Sequence, residues 1–332
     1  KLAALVGTSP DRLVWTSGAT ESDNLAIFGA AAYRENRGRH LVSMRTEHKA
    51  VTDPFTVLAK RGFEVTWVDP EPDGRLDLDK LAGALREDTQ LVSVMHVNNE
   101  TGIVQDIAGI GALCRERGIL YHVDAAQSCG KLPINLDELP VDLMSMTAHK
   151  FYGPKGVGAL YIADRKGVHV DPQLFGGGQQ RRLRPGTLPT QQIVGFGETA
   201  ALAAGRMAQD LEHLRSLRDR FWNGISDLQG LIVNGSLEHG FPGILNVSAE
   251  GVEGESLLLA LEPLQVATGS ACNSKSQEPS YVLRALGLSD LEAQSAIRFS
   301  VGRPTTEAEV VFAVERYRHA VERLRELAPE AA

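Results

Sequence analysis

The sequence predicts a large α/β domain built on a mostly parallel sheet, followed by a smaller α+β domain. Three observations predict it. Short β-rich runs alternate with helical patterns through the first two thirds of the chain. Several of those runs are apolar on both faces, as strands are when helices cover both sides of a parallel sheet. From about Gln191 the texture changes: Met207, Leu211, Leu214, Phe221 and Ile225 recur at helical spacing, which predicts a long helix leaving the sheet domain.

Taken in order, strands are expected at Arg12–Trp15, His40–Met44, Glu64–Val68, Leu91–Val97, Leu120–Val123, Leu143–Met146 and Gly158–Ile162. Helices are expected at Asn24–Arg34 and at Ile107–Arg117, the second stopped by Gly118. At the end of the chain Val310, Val314, Tyr317, Val321 and Leu324 share one stripe, with Thr306 and Glu309 as a capping box. The expected division is a large domain over residues 1–206 and a small one over 207–332. There is no internal repeat and no low-complexity tract.

Composition removes several classes of function. The 332 residues carry 34 Lys+Arg against 42 Asp+Glu, a formal charge of -8. Mild acidity argues against direct nucleic-acid binding and against an anionic membrane surface, both of which need a basic face. No apolar run approaches the roughly 20 residues of a membrane-spanning helix. Three cysteines without framework spacing fit a reducing compartment, and no signal-peptide pattern opens the chain, so the expected location is the cytoplasm. Leu2–Val6 reads as the tail of a helix already under way, so the chain is expected to lack its true beginning.

Lys150 is the most telling residue. It follows the apolar run Val141–Met144 and precedes the glycine-rich Tyr152–Gly158. A lysine at the mouth of a buried strand is expected to be poorly solvated, which disfavours its ammonium form and frees an amine to condense with an aldehyde. Pyridoxal phosphate (PLP) chemistry needs such an amine. Ser17-Gly-Ala-Thr-Glu-Ser22 follows a strand and opens a helix; its small residues and the Thr20 hydroxyl suit an anion, or an ordinary helix cap. Asp124 ends a strand where α/β crevices open, and can either pair with a pyridine nitrogen or cap the next turn. Gln127, one turn later, can reach the phenolic oxygen of the same ring. His48 can lie against a planar ring and move protons.

Asn98-Asn99-Glu100 stands at another strand end, as amide donors or as turn chemistry. Arg298, within Ile297-Arg-Phe-Ser300, is either a clamp on a carboxylate or half of an internal salt bridge. Cys272 lies in the small, polar run Gly269–Lys275, unlike Cys114 and Cys129, which suit buried, inert thiols. At an ordinary pKa of about 8.5 only a few per cent of such a thiol is ionised at neutral pH, so cations nearby would have to supply the rest. No two of His48, His149 and Cys272 sit at metal-ligand spacing, and no metal site is expected.

Together these segments resemble the cysteine desulfurases of the NifS/IscS type, within the class V aminotransferase-like, fold-type I PLP enzymes. The resemblance runs over nearly the whole chain. It is carried by Thr16-Ser-Gly-Ala-Thr-Glu-Ser-Asp-Asn24, Thr46-Glu-His-Lys49, Met95-His-Val-Asn-Asn-Glu100, His122-Val-Asp124, His149-Lys150 and Gly153-Pro-Lys-Gly156. It continues through Gly176-Gly-Gly178, Arg184-Pro-Gly-Thr187, Asn246-Val-Ser248, Gly269-Ser-Ala-Cys272, Glu278-Pro-Ser-Tyr281 and Ile297-Arg-Phe-Ser300.

The resemblance implies that Lys150 holds the cofactor's aldehyde while His48 stacks on the ring. Asp124 would meet the ring nitrogen and Gln127 the phenolic oxygen. Ala19, Thr20, Thr147 and His149 would bind phosphate, joined across a homodimer by the partner subunit's Thr187. Asn99 would contact cofactor and substrate, and with Arg298 would hold the carboxylate of L-cysteine. Cys272 would take the sulfur as a persulfide and pass it to an acceptor or iron–sulfur scaffold protein, for cluster assembly or tRNA thiolation. Thr147-Ala148 departs from the usual Ser-Gly but keeps the hydroxyl, and Lys275 is a cation beside the thiol. Gln179–Arg182 is also atypical, at the expected dimer side. Family members begin a few dozen residues earlier and some extend further at the end. A related PLP lyase or aminotransferase that does not depend on Cys272, such as a selenocysteine lyase, and a cofactor-free scaffold remain as other readings.

Overall fold

Period-two alternation sets the first sheet. Leu41, Leu91, Leu120, Leu143 and Leu160 share one apolar cluster, while their chain neighbours Val42, Val92, Tyr121, Met144 and Tyr161 share another. Successive side chains on a strand point to opposite faces, so each of these strands feeds two cores at once. The computed structural model describes residues 1–268 and 278–327.

The chain separates into two compact units, the first of Lys1–Asp69, Leu76–Val97 and Gln105–Met207. Its strands are β1 (Leu13–Thr16), β2 (His40–Met44), β3 (Glu64–Val68), β4 (Thr89–Ser93), β5 (Leu120–Asp124), β6 (Leu143–Thr147) and β7 (Gly158–Ile162). They form one sheet in the order β1-β7-β6-β5-β4-β2-β3. The pairs from β3 through β6 are parallel, and β7 runs antiparallel to both β6 and β1. This is the mixed, mostly parallel α/β sheet the sequence predicts.

Helices cover both faces. After the short α1 (Leu2–Leu5), α2 (Ala19–Tyr33) and α3 (Lys49–Lys60) bury Leu25, Ile27, Val51 and Phe55 against the leucine face. The other face receives Leu81 of α4 (Leu78–Ala84), Ile107 and Ile110 of α5 (Ile107–Glu116), and Phe196 and Ala200 of α6 (Thr190–Ile225). Fully burying a side chain of this kind is worth about 1.5–3 kcal/mol.

Three elements have boundaries that differ from expectation by more than one residue. The strand expected at Leu91–Val97 is β4, which ends at Ser93; beyond it Val94 and His96 donate backbone hydrogen bonds to His122 and Asp124 carbonyls at 3.1 and 2.9 Å. The residues from Val94 to Val97 are buried, and these bonds tie them to β5 without extending the ladder of β4. The helix expected from Asn24 begins at Ala19, because the turn Ser17–Glu21 is closed by the Ser17 N–H donating to Glu21 at 2.8 Å. The long helix starts at Thr190, directly after Pro189, and its 36 residues span about 54 Å.

The second unit holds Pro70–Arg75, Asn98–Val104 and Ala208–Ala332. The two short segments group here rather than with residues 1–206, where the sequence reading put them. Asn246 explains one of them: its side-chain amide donates to the Glu100 carbonyl at 3.1 Å. The sheet is antiparallel, in the order β10-β11-β9-β8, from β8 (Leu231–Val233), β9 (Ile244–Ala249), β10 (Ala267–Thr268) and β11 (Ile297–Ser300). Its core joins Phe221 of α6, Leu257 of α7 (Gly254–Ala260), Phe299, and Tyr317 of α10 (Glu307–Leu327). Phe299 meets Tyr317 edge-on at 5.4 Å. The expected capping box is present: the Glu309 N–H donates to Thr306 Oγ1 and the Thr306 N–H to Glu309 Oε2. The short α8 (Tyr281–Ala285) and α9 (Asp290–Gln294) complete the unit. No helix among the described residues is long and apolar enough to cross a membrane.

Candidate active site

The turn between β1 and α2 makes the first part of the site. Gly18 caps α2 without any capping side chain, which leaves first-turn N–H groups and the positive end of a 15-residue helix facing outward. Gly158 opens β7 beside it; a Cβ there would lie 2.6 Å from the Gly18 backbone, so only glycine lets the turn settle at this depth. Thr147, at the end of β6, reaches the same place: a Cβ on Gly18 would come within 3.8 Å of its Oγ1. That hydroxyl lies 3.0 Å from His149 Nδ1 and donates to the Val157 carbonyl at 3.3 Å. Thr147 and His149 therefore stand together beside the turn that carries Ala19 and Thr20, as a cradle for an anion.

Glu21 would repel an anion here, but its charge is occupied. Arg184 donates to it from Nε at 2.7 Å and from a terminal nitrogen at 3.3 Å. Burial works to raise the Glu21 pKa, yet the bonds from Arg184 and Ser17 outweigh it and hold the carboxyl below its ordinary value. The same ion pair ties down the segment carrying Thr187, which is exposed three residues further on. Gln180, Arg181 and Arg182 precede it with φ of 47, 58 and 64°, a left-handed run costing about 1–2 kcal/mol per residue. Gln180 accepts the Trp15 N–H at 2.9 Å and Gln179 accepts the Gly186 N–H at 3.1 Å, which helps hold that run in place.

Asp124 lies at the end of β5 and is 5% exposed. Its Oδ1 accepts the Ala126 N–H at 2.8 Å, so it caps the following turn as one reading held. Burial pushes its pKa up, opposed by the Ala126 N–H and by the positive charges of His48 and Lys150. Those two residues are thus within electrostatic reach of it. Two more carboxyls lie buried nearby. Asp23 and Glu47 are both raised well above the ordinary range by burial, and the charge of Asp124 adds to each. Glu47 accepts the Met95 N–H through both oxygens, at 3.0 and 2.9 Å. Burial pushes all three neighbouring carboxyls upward, and Asp124 is the one whose rise is opposed by the charges of His48 and Lys150.

Behind this floor His122 is held between Ser93 and Ser145 at 2.8 and 2.9 Å, with Nε2 3.5 Å from Asp23 Oδ1. Burial drives its pKa down to about 3, so the imidazole stays neutral.

His48 is the N-cap of α3 and half-buried. Its Nδ1 accepts the Ala50 N–H at 3.0 Å, which puts the proton of the neutral ring on Nε2. Lys150 sits on the single turn Ala148–Phe151 that directly follows β6. Here one expectation fails: the side chain is exposed rather than poorly solvated, because the turn carries it past the strand end instead of leaving it among the buried residues of β6. Gln127 accepts a hydrogen bond from Lys131 Nζ at 2.8 Å.

Asn99 and Arg298 belong to the second unit and meet there. Arg298 donates to the Asn99 carbonyl at 2.9 Å, while its Nε is buried without a hydrogen-bond partner among the described residues. That unsatisfied N–H is a donor an anion could meet, and the same guanidinium acts electrostatically on Glu100. Glu100 is held by the Ser280 hydroxyl at 2.6 Å; burial pushes its carboxyl up to about 7, against the pull of Ser280 and Arg298. Cys272 and Lys275 lie outside the described residues. Cys114 and Cys129 are buried, and burial pushes both thiols up to about 12. No group of three or more His, Cys, Asp or Glu side chains among the described residues is placed to hold a metal ion.

Sequence reasoning missed Glu21 with Arg184, the Asp23–Glu47–His122 floor, and Lys131. Arg184 and Glu21 are 163 residues apart, so no local pattern announces them. Lys131 reads as one more surface charge, and the only local signal is the Gly130 before it.

The pattern of the aminotransferase class-V family matches residues 1–312. Cysteine desulfurase IscS of Escherichia coli is 57% identical over 329 residues, covering 99% of this chain and 81% of that protein. Among solved structures, a NifS-like protein superposes with a TM-score of 0.89 at 35% identity, over 97% of this chain and 85% of that one. SspA in complex with cysteine superposes at 0.80 with 36% identity, over 92% and 85%.

Proposed function

Because this chain belongs to the aminotransferase class-V family, among its cysteine desulfurases of the NifS/IscS type, we propose that its site removes sulfur from L-cysteine with PLP as cofactor. The products are L-alanine and a persulfide on Cys272, passed to an acceptor or scaffold protein for iron–sulfur cluster assembly or tRNA thiolation. The observation that carries this reading is Asp124, buried at a strand end and within charge range of both His48 and Lys150.

The residues present fit the cofactor. The uncapped first turn of α2, with Ala19, Thr20, Thr147 and His149, suits a phosphate, and the Gly158–Gly18 approach makes room for it. The carboxylate of Asp124 suits a protonated ring nitrogen, Gln127 the phenolic oxygen, and the Lys150 amine an aldehyde. When bound, PLP supplies a sink for the electrons left on the substrate's α-carbon. Lys150 then serves as the base at that carbon, and Asp124 keeps the ring nitrogen protonated. His48 offers a proton from Nε2 to the reacting face. In the second unit, Asn99 and Arg298 hold the substrate carboxylate, which completes the orphan Nε of Arg298. Cys272 would attack the substrate sulfur as thiolate: an S–S bond forms, the C–S bond breaks with its electron pair going to the carbon fragment, and that fragment takes up a proton and leaves as L-alanine.

The working form is a homodimer, with the partner subunit's Thr187 joining the phosphate site. Exposed Phe175 and Val194, at 86% and 64%, support an apolar contact near Thr187 in the chain. The small domain over residues 207–332 carries the cysteine segment. The location is the cytoplasm, where free thiols such as Cys114 and Cys129 stay reduced.

PLP-loaded protein given L-cysteine should release alanine and transferable sulfur in equal amounts. Cys272→Ser should keep the visible cofactor band and lose sulfur delivery. A protein that stays colourless with PLP and forms no alanine would overturn the reading.

A further inference from the structure

Gln127 has a neighbour that no role above uses. The chain leaves Asp124 through a tight turn in which the Cys129 and Ser128 N–H groups donate to the Ala125 carbonyl, at 2.9 and 3.2 Å. Gly130 follows with φ of +73°, and a Cβ on it would lie 2.4 Å from the ring of Phe151. That position therefore needs glycine twice over, for its left-handed backbone and for the approach to Phe151. The turn folds Lys131 back over the preceding residues. The Lys131 and Leu132 N–H groups donate to the Ser128 carbonyl, at 3.0 and 2.9 Å, and Lys131 Nζ reaches Gln127 Oε1 at 2.8 Å.

A carboxamide has an acceptor end and a donor end of nearly the same shape, and either can face a given partner. A lysine ammonium offers three donors and no acceptor. Facing Lys131, Gln127 can present only its oxygen, which leaves its NH2 group for whatever lies on the other side. An anionic oxygen there would be met by donors; with the amide reversed it would meet another oxygen.

We propose that Lys131 is a positioning residue: it fixes the orientation of the Gln127 amide so that the NH2 group donates to the phenolic oxygen of PLP. This rests on the reading of Gln127 given above. Lys131 is half-buried, and burial, then the like charge of Lys150, lowers its pKa to about 8, so it remains the donor through neutral pH. Cys129 is the other titratable group that acts on it, in the opposite sense.

The test reads the pH at which the visible band of the PLP-loaded protein changes. A donor on the phenolic oxygen favours the less protonated form, so its loss moves that midpoint upward. Gln127→Ala should raise it, and Lys131→Met should raise it by a similar amount, about one unit or tenfold in proton affinity. Lys131→Arg, which keeps the donors, should restore the wild-type midpoint to within about twofold. The double variant should match Gln127→Ala alone, because Lys131 acts through the amide. Lys131→Leu, which also lacks a donor, replaces the methionine variant if that one fails to fold.

Two outcomes would overturn the proposal: no shift in Lys131→Met, or the same added shift with and without Gln127, as a bare charge would give. An intact band with no shift in Gln127→Ala would remove both roles while leaving the desulfurase reading in place. Absence of the band in the wild-type protein would instead strike at that reading.

Discussion

In the first unit the buried charges beside the proposed site are acids. Asp23, Glu47 and Asp124 lie buried near the strand ends, and burial pushes all three upward. In the second unit the charge of the proposed site is a cation, Arg298, half-buried on β11 with one N–H on the Asn99 carbonyl and its Nε unsatisfied among the described residues. Asp124 ends β5, Asp23 lies near the start of α2 and Glu47 between β2 and α3, so separate connections of one sheet bring the three acids within electrostatic reach of one another. The small antiparallel sheet instead holds one guanidinium, with segment 98–104 anchored by Asn246. A buried acid suits a proton-bearing nitrogen and an unsatisfied guanidinium N–H suits a carboxylate, so under the proposed reading these two groups would take partners of opposite charge.

Three substitutions break the two sides of that contrast separately. The largest effect should come from Lys150→Ala, which removes the proposed base and the cofactor's anchor; alanine formation should fall by about 10²- to 10⁴-fold, with loss of the visible band. Next is Asp124→Ala. It removes a charged partner of the ring nitrogen, so kcat should fall by about 10- to 100-fold while KM for L-cysteine changes little. Arg298→Gln addresses the other sign. KM should rise by about 10-fold or more with kcat largely kept, because the proposed contact would hold the substrate's carboxylate rather than the reacting atoms. An equal loss in kcat from Arg298→Gln would blur the division between the units.

Much of the acidic side was legible in the sequence. Asp124 ends a strand of five buried residues, Thr147 ends the next, and the small-residue turn follows β1; a strand end that opens into a polar residue is readable from letters alone. The floor beneath was not. Asp23 and Glu47 sit in segments whose neighbours are also polar, and only the fold reveals that they are buried near one another and near Asp124. The basic side was legible in its residues but not in its contact, since Arg298 and Asn99 are 199 positions apart. The exposure of Lys150 was misread because a strand's apolar run does not tell where the following turn carries its side chains.

Glu100 gives a test on stability rather than on activity. Its carboxyl is raised from an ordinary 4.5 to about 7 by burial. Between those values the folded protein binds more protons than the unfolded chain, so stability falls as pH rises from about 4.5 to 7 and then levels, by about 3 kcal/mol at full effect. Buried His122 works in the opposite sense, with stability lost as pH falls below about 6.5 towards its folded value of about 3. It is present in both proteins, so melting curves of wild type and Glu100→Gln across this range isolate the carboxyl. The difference should shrink at the acid end and grow towards neutrality; a constant offset would remove the buried-acid assignment.

The most direct measurement is peptide mass spectrometry of PLP-loaded protein after a single exposure to L-cysteine, with Lys150→Ala alongside. One added sulfur atom is predicted on the peptide containing Cys272, removable by a thiol and absent from the Lys150→Ala sample. Unmodified Cys272 in protein that still turns L-cysteine into alanine would contradict persulfide transfer through that residue.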